Sequence, residues 1–297
     1  SRGLGDVYKR QISGAAGSIS FGGDYSSQLA VGGGSTVSQD LAVSLRANIA
    51  NSLITGNVFL NGVLVSGFDP NETNTNGVTQ TSRVLTTNNF LGDHESPAGV
   101  RGNPSSVIFG DKMMFSNNVS RGDEDTTQYN VYQFIGTMNS VSDNHLEGRV
   151  LSQGASFLFD GNTLHDSLHS GTNCGVISTG NYCQIQGNRI ASGDDELSSI
   201  LSVGYSPVVT NNHVQGQGNL DVGGIHTVVT NNRVYGNIRL FNMDGSSLTD
   251  QKTDRYLVSN NMLSPSAGSG LGDILVPDFT EAAFGTLIGN TLSLIHI

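Results

Sequence analysis

The sequence lacks tryptophan and is poor in charged side chains, which make up 13% of its 297 residues. It also lacks any apolar run of the length that crosses a bilayer. Glycine is abundant instead, with 39 residues, and Ser, Thr and Asn are frequent. This composition is typical of an all-β protein with many turns. The length is sufficient for one large domain with a substantial core.

Basic residues are scarce as well. The chain has 14 Lys and Arg against 25 Asp and Glu, for a formal net charge of −11. An acidic chain without basic clusters argues against nucleic acid or an anionic membrane surface as a partner. We therefore expect no nucleic-acid partner and no membrane insertion.

The two cysteines and the histidines give no established motif. Cys174 and Cys183 can form one small-loop disulfide or remain buried thiols; we favour the thiols, and the redox compartment stays open. His165 and His169 stand four apart, but a turn-rich chain offers no helix to place them on one face. The sequence contains no His-Glu-x-x-His pattern, nucleophile elbow, phosphate loop or paired-cysteine metal motif.

Both ends of the sequence resemble translated sequencing-adapter DNA. Residues 6–11 are what GATGTGTATAAGAGACAG encodes, and residues 292–297 are what its reverse complement encodes. We therefore set residues 1–11 and 292–297 aside as adapter-derived scars and interpret residues 12–291 as an internal fragment of a longer gene. Removing three basic residues and one acidic residue changes the net charge from −11 to −13.

Nearly the whole sequence consists of copies of one short box, seen almost identically at residues 208–214 and 228–234. A central Asn follows a Gly, Asn or Asp, with apolar residues three positions before it and two after it. The central asparagines are Asn57, Asn89, Asn118, Asn144, Asn162, Asn188, Asn212, Asn232, Asn261 and Asn290. Their separations range from 18 to 32 residues, which is the length of one solenoid coil.

The box predicts a turn between two short strands, each of which points one residue inward. The Asn can adopt a left-handed backbone conformation, and the Gly, Asn or Asp before it eases the turn. Coils stacked about 4.8 Å apart form parallel sheets, and stacked asparagines bond to one another along the axis. An antiparallel sandwich explains the alternation but not a fixed asparagine column.

The boxes resemble those of right-handed parallel β-helices of the pectate-lyase-like (pectin-lyase-fold) superfamily over roughly residues 53–291. The resemblance implies an all-β, single-stranded right-handed parallel β-helix of about nine to ten coils at residues 51–291. Residues 12–50 are then a glycine-rich segment or the first irregular coils. The superfamily includes polysaccharide lyases, polygalacturonase-type hydrolases, phage tailspikes and surface adhesins, so the fold alone does not select a function.

Asp194 and Asp195 are the candidate catalytic residues. They resemble the Asp pair of polygalacturonase-type hydrolases, in which a Gly-His-Gly follows about one coil later. Here Gly216-Gln217-Gly218 replaces the His by Gln, and the upstream Thr172-Asn173-Cys174 lacks the Asp of that family. Inverting hydrolysis needs an acid and a base roughly 6.5–9.5 Å apart, so these departures leave catalysis without an assigned third carboxylate.

The other candidate residues are an acidic loop and several arginines. Asp123, Glu124 and Asp125 are a candidate calcium site, as acidic loops are in pectate lyases, with a solvated turn as the alternative. Calcium is the one cofactor this pattern indicates. The candidate substrate-binding residues are Arg149, Arg189 and Arg239. The outward position after the ladder Asn holds His145, Arg189, His213 and Arg233, which form either a polar stripe or an ordinary solvated face.

Two functions follow as expectations from the resemblance. One is a polysaccharide lyase or glycoside hydrolase that acts on an extracellular polysaccharide. The alternative is a non-catalytic glycan-binding segment of a phage tail fibre, tailspike or surface adhesin. Both imply a polysaccharide or cell-surface glycan as partner and an extracellular, cell-surface or virion location, and a tailspike-like chain would form a homotrimer.

Overall fold

A computed structural model describes the chain in two compact units, residues 1–147 and residues 148–297. The described residues are 19–23, 30–32, 36–37, 43–47, 50–56, 58–59, 64–66, 82–92, 105–121, 131–165, 175–191, 198–216, 218–240, 255–264, 272–276 and 285–292. All of their regular structure is β-strand. No described segment is a helix long and apolar enough to cross a membrane.

The first unit is a parallel β-helix whose coils each contribute one strand to three sheets. Its described strands are β1 (Ile19–Gly23), β2 (Ala30–Gly32), β3 (Thr36–Val37), β4 (Val43–Ala47), β5 (Ala50–Thr55), β6 (Val58–Phe59), β7 (Leu64–Ser66), β8 (Ser82–Thr87), β9 (Phe90–Gly92), β10 (Ser105–Phe109), β11 (Met114–Ser116), β12 (Val119–Arg121), β13 (Val131–Ile135), β14 (Ser140–Ser142) and β15 (His145–Glu147). Every third strand belongs to the same sheet: β1, β4, β7, β10 and β13 form the first sheet.

The second unit repeats this architecture. Its described strands are β16 (Arg149–Gln153), β17 (Leu158–Asp160), β18 (Thr163–His165), β19 (Val176–Thr179), β20 (Gln184–Gln186), β21 (Arg189–Ala191), β22 (Ser198–Val203), β23 (Val208–Thr210), β24 (His213–Gln215), β25 (Asn219–Gly223), β26 (Val228–Thr230), β27 (Arg233–Tyr235), β28 (Ile238–Leu240), β29 (Tyr256–Ser259), β30 (Met262–Ser264), β31 (Ile274–Leu275), β32 (Gly285–Ile288) and β33 (Thr291–Leu292). The first sheet begins with β16, the second with β17 and the third with β18.

The expectation of a right-handed parallel β-helix is confirmed, since neighbouring described strands of each sheet pair in parallel and join equivalent positions of successive coils. The described strands make five triplets in the first unit and six in the second. The total exceeds nine to ten because strands also occur within residues 12–50, where the box is absent.

The buried asparagines form the ladder that the box predicts. In the second unit, the side-chain amide nitrogen of each ladder Asn donates to the side-chain oxygen of the next, at 2.9–3.1 Å from Asn162 to Asn290. The same oxygen accepts a bond from the backbone N–H of the preceding ladder Asn. In the first unit, Asn89, Asn118 and Asn144 are joined in the same way. Asn57 lies outside the described residues.

The left-handed conformation, however, belongs to the residue before the ladder Asn. Asn211 and Asn231 both have φ of +57°, whereas the ladder residues Asn212 and Asn232 are not among those with positive φ. The expectation that the ladder Asn itself is left-handed is therefore wrong. The side chain of the ladder Asn must point inward to reach the next coil. The exposed residue before it therefore adopts the left-handed conformation that changes the chain direction. That position holds Gly, Asn or Asp throughout, the residues that adopt positive φ most readily.

The core follows the apolar positions of the box. Val209, Val214, Val229 and Val234 are fully buried, and the equivalent residues of other described coils are buried with them. The exceptions are Leu287 and Leu292, at the two apolar positions of the Asn290 box, which are 49% and 48% exposed. Both lie in the last described coil, where no later described coil covers them. Cys183 is a free, fully buried thiol, as favoured, and Cys174 lies outside the described residues.

A column of glycines lines the turn between the first and second sheets. In the second unit, a Cβ added to Gly180 would lie 1.9 Å from the carbonyl oxygen of Gly154, and one added to Gly204 would lie 2.0 Å from that of Gly180. Gly224 repeats this contact at 1.8 Å from the oxygen of Gly204. No side chain fits at such a distance, so this turn packs directly backbone on backbone.

Candidate functional site

The outer face of the third sheet in the second unit carries a basic and aromatic group of side chains. Arg189, His213 and Arg233 occupy one register position on β21, β24 and β27. Gln215 and Tyr235 stand two residues further along β24 and β27, and therefore on the same outward face. We call these five residues the Arg–His cluster.

The first half of the cluster joins two neighbouring coils. The guanidinium of Arg189 donates from Nε and Nη2 to the side-chain oxygen of Gln215, at 3.3 and 3.2 Å. The amide nitrogen of Gln215 lies 3.5 Å from Nε2 of His213. Gln215 thus holds the guanidinium of Arg189 beside the coil that carries His213.

The second half is built around Tyr235. Arg233 donates from Nη2 to the Tyr235 hydroxyl at 2.6 Å, and its Cζ lies 5.2 Å from the centroid of the same ring. The imidazole of His213 lies 5.9 Å from the Tyr235 ring, centroid to centroid, with 32° between the planes. Tyr235 therefore contacts both the imidazole of the preceding coil and the guanidinium of its own strand.

The positive charges of Arg189 and Arg233 both act on the imidazole of His213. Partial burial, followed by the charges of Arg233 and Arg189, lowers the pKa of His213 below its ordinary value. The surroundings therefore favour the neutral imidazole, because protonation would place a third positive charge on the same face. Neither Arg189 nor Arg233 forms an ion pair with a carboxylate in the described part of the chain.

This arrangement can bind an anion. Two exposed guanidiniums, neither paired with a carboxylate among the described residues, provide forked donors for a carboxylate, sulfate or phosphate group. The half-buried faces of His213 and Tyr235 provide apolar contact area beside them. In a chain with a net charge of −11, two arginines on one sheet face are a local concentration of positive charge.

The three predicted substrate-binding arginines do not share one sheet. Arg189 lies in the cluster on the third sheet. Arg149 is the first residue of β16 and Arg239 lies in β28, and both of these strands belong to the first sheet. Arg239 donates from Nε and Nη2 to both carboxylate oxygens of Asp221, each at 2.6 Å. Its guanidinium is already engaged, which makes it a weaker anion-binding candidate than Arg189. The Nε of Arg149 is buried, and no described residue forms a hydrogen bond with it.

Several other predicted site residues lie outside the described residues. They are the catalytic candidates Asp194 and Asp195, the calcium candidates Asp123, Glu124 and Asp125, and the motif residue Gln217. Catalysis and calcium binding at these positions remain predictions. Among the described residues, three or more His, Cys, Asp or Glu side chains nowhere come together as a metal-binding group.

Gln215 and Tyr235 are the cluster residues that the sequence reasoning missed. They stand three positions after the ladder residues Asn212 and Asn232, one alternation beyond the outward position that was considered. The period of two along a strand places both positions on the same face. Extending the outward column by one alternation would have identified them.

Comparison of the chain with protein-family models, with curated proteins and with solved structures finds no match.

Proposed function

We propose that this protein binds an acidic glycan through the Arg–His cluster. The observation that supports it is that two exposed guanidiniums, those of Arg189 and Arg233, lie on one sheet face on either side of the His213 imidazole, and neither is paired with a carboxylate of a described residue. A uronate sugar supplies the matching chemistry, because it combines a carboxylate for the guanidiniums with C–H faces for aromatic rings. Such a partner implies an extracellular, cell-surface or virion location, which belongs to the same proposal.

The register of the cluster favours a chain-like ligand. Arg189, His213 and Arg233 follow one another along the solenoid axis in three successive coils, spaced about 4.8 Å apart. An extended polysaccharide lying along this axis would meet the three residues in turn. A single small anion would need only one of the guanidiniums, so a polymer uses the site more fully.

The side-chain types of the Arg–His cluster favour binding of a glycan over its cleavage. Hydrolysis needs two carboxylates at a defined separation, and the described outward residues of the cluster are cationic, aromatic or amide side chains. Cleavage at Asp194 and Asp195 remains a prediction about residues outside the described ranges. Assaying the same acidic oligosaccharides for unsaturated or reducing-end products separates the two functions.

The test is isothermal titration calorimetry of the full chain with oligogalacturonate and oligoalginate. The variant Arg189→Gln/Arg233→Gln keeps the side-chain length similar but removes both charges. If each guanidinium makes a charge-assisted bond worth about 1.5–3 kcal/mol, each substitution should weaken binding by tenfold or more. Binding by the native chain should also weaken with added salt.

The matched control is Arg83→Gln, which removes the same charge from an exposed position in the first unit. It should leave affinity unchanged. Native-like affinity in the double variant would contradict the proposal, as would the absence of binding to every acidic oligosaccharide by the native chain.

A further inference from the structure

A second group of side chains, one exposed and two half-buried, occupies a different corner of the coil, the turn between the first and second sheets of the second unit. Tyr182, Tyr205 and His226 lie in three successive turns, which begin at Gly180, Gly204 and Gly224. The ring centroids of Tyr182 and Tyr205 are 5.4 Å apart, and those of Tyr205 and His226 are 5.3 Å apart. We call these three side chains the aromatic ridge.

The backbone beneath the ridge is held in place by hydrogen bonds between turns. The N–H of Tyr182 donates to the carbonyl of Tyr205 at 2.7 Å, and the N–H of Tyr205 donates to the side-chain oxygen of Asn181 at 2.9 Å. The glycine column packs backbone on backbone directly before each turn. The ridge is therefore a preorganised surface, which loses little conformational entropy when a ligand binds.

The fold does not require aromatic side chains at these positions. The inward residues of the three turns are Cys183, Pro207 and Thr227, all buried, while Tyr182 is 54% exposed. In the preceding turn of the same unit, Ser156 takes the left-handed place of Tyr182 and His226, and Ala155 takes the place of Tyr205.

Two of the ridge residues also occupy a costly backbone conformation. Tyr182 and His226 each have φ of +59°, a region that bulky side chains enter rarely. Gly or Asn would occupy it with less strain. Lys112, Met138 and Arg255 adopt the same conformation at the equivalent position of other described coils, so the turn imposes this backbone geometry whatever the side chain and does not call for an aromatic residue.

We propose that the aromatic ridge is a second glycan-binding surface, which takes a neutral sugar chain. Pyranose rings present C–H faces to aromatic rings, while their hydroxyls bond to polar edges such as the Tyr hydroxyl and the imidazole nitrogens. The ridge is one residue wide and three coils long, which suits an extended chain better than a protein partner, whose interface needs a much broader patch.

The absence of charge distinguishes this ligand from that of the Arg–His cluster. None of the residues that form the three described turns, from Gly180 to Cys183, Gly204 to Pro207 and Gly224 to Thr227, is Lys, Arg, Asp or Glu. An acidic sugar would lose hydration here without gaining an ion pair. The ridge therefore selects neutral sugars and operates independently of the proposed acidic-glycan site.

The test uses the full chain and a panel of neutral oligosaccharides: cello-, xylo-, manno- and laminari-oligosaccharides. Because the chain has eight Tyr and no Trp, its intrinsic tyrosine fluorescence follows binding, and loss of the change in a variant of Tyr182 and Tyr205 assigns it to the ridge. We expect at least one member of the panel to change this fluorescence saturably. The variant Tyr182→Asn/Tyr205→Ser/His226→Asn should weaken its binding by roughly tenfold or more, as measured by calorimetry.

Ser156→Asn is the matched control, since it changes a residue of the same left-handed column outside the ridge, and it should bind normally. If the triple variant folds poorly, protection of Tyr182 and Tyr205 from nitration by the oligosaccharide in the native chain gives an independent reading. Equal binding by the triple variant, lack of protection, or failure of the whole neutral panel to bind the native chain would overturn the proposal. Each outcome is independent of Arg189→Gln/Arg233→Gln, so the two sites can fail separately.

Discussion

Replacing Asn232 with Leu should destabilise the second unit substantially, although the two side chains have similar shapes. The side chain of Asn232 donates to the carbonyl of Val209 and to the side-chain oxygen of Asn261, each at 3.0 Å. It accepts from the backbone N–H and the side-chain amide of Asn212, both at 3.0 Å. Leucine removes all four bonds at a position that is 1% exposed.

The magnitude follows from which groups lose their partners. The side-chain amide of Asn212 keeps its bond to Ile185, and the side-chain oxygen of Asn261 keeps its bond from the Asn232 backbone. The backbone N–H of Asn212 loses the bond to Asn232, and a buried unsatisfied donor costs about 1–3 kcal/mol. With the remaining lost bonds, we expect a loss of roughly 2–4 kcal/mol in unfolding free energy.

Thermal denaturation followed by circular dichroism measures the effect. At roughly 2–4 °C per kcal/mol for a chain of this size, Tm should fall by about 5–15 °C. Hydrogen exchange should show faster exchange at the Asn212 amide. The matched control is Gln184→Leu, which removes an exposed amide from the outer face of the second sheet and should change stability by less than about 0.5 kcal/mol. Equal Tm values for the two variants would refute the ladder account.

Three further predictions concern the glycine column, the Arg–His cluster and the buried thiol. Gly204→Ala should cost about 2–4 kcal/mol because its Cβ would meet the Gly180 carbonyl at 2.0 Å; urea denaturation should show this loss, whereas Ser206→Asn in the same turn should not. The lowered pKa of His213 means that the unfolded chain binds a proton first, so stability is greatest above the ordinary His pKa of about 6.5 and falls as pH decreases through the folded pKa. In denaturation at pH 7.5 and 5, His213→Gln should remove that part of the pH dependence, and an unchanged difference would contradict the assignment. In a Cys174→Ser background, Cys183 should react with a thiol reagent only as fast as the unit opens, because its side chain is fully buried; immediate reaction in the folded state would contradict this burial.

The sequence predicts those features of the fold that depend on the type of side chain at a given position. The ladder can be recognised from an Asn with apolar residues at fixed offsets, because a buried amide requires a hydrogen-bond partner and the Asn of the next coil supplies it. The burial of Val209 and Val234 and the outward position of Arg233 follow from strand alternation. These features need no knowledge of loop length, so variable coil lengths did not obscure them.

The glycine column was readable in the sequence but was not recognised. In six coils a Gly stands eight residues before the ladder Asn, at Gly110, Gly136, Gly154, Gly180, Gly204 and Gly224. Glycine is so frequent in this chain that single occurrences carry little information. The column becomes visible only when the coils are aligned on the ladder Asn. The close approach of each glycine to the carbonyl of the preceding one is visible only in the structure.

The Arg–His cluster was predicted in part. The outward column after the ladder Asn gave Arg189, His213 and Arg233, but it could not give their contacts. The bond between Arg189 and Gln215 and the contact between His213 and Tyr235 join different coils. Such contacts depend on the register between strands and on side-chain rotamers, neither of which a single sequence specifies.

The most direct measurement of the proposed function is a crystal structure of the full chain with a bound oligogalacturonate. The account predicts carboxylate oxygens within hydrogen-bond distance of the guanidiniums of Arg189 and Arg233, with the sugar chain running along the third sheet. A ligand seated instead on the first sheet, with its carboxylates at Arg149 or Arg239, would contradict it.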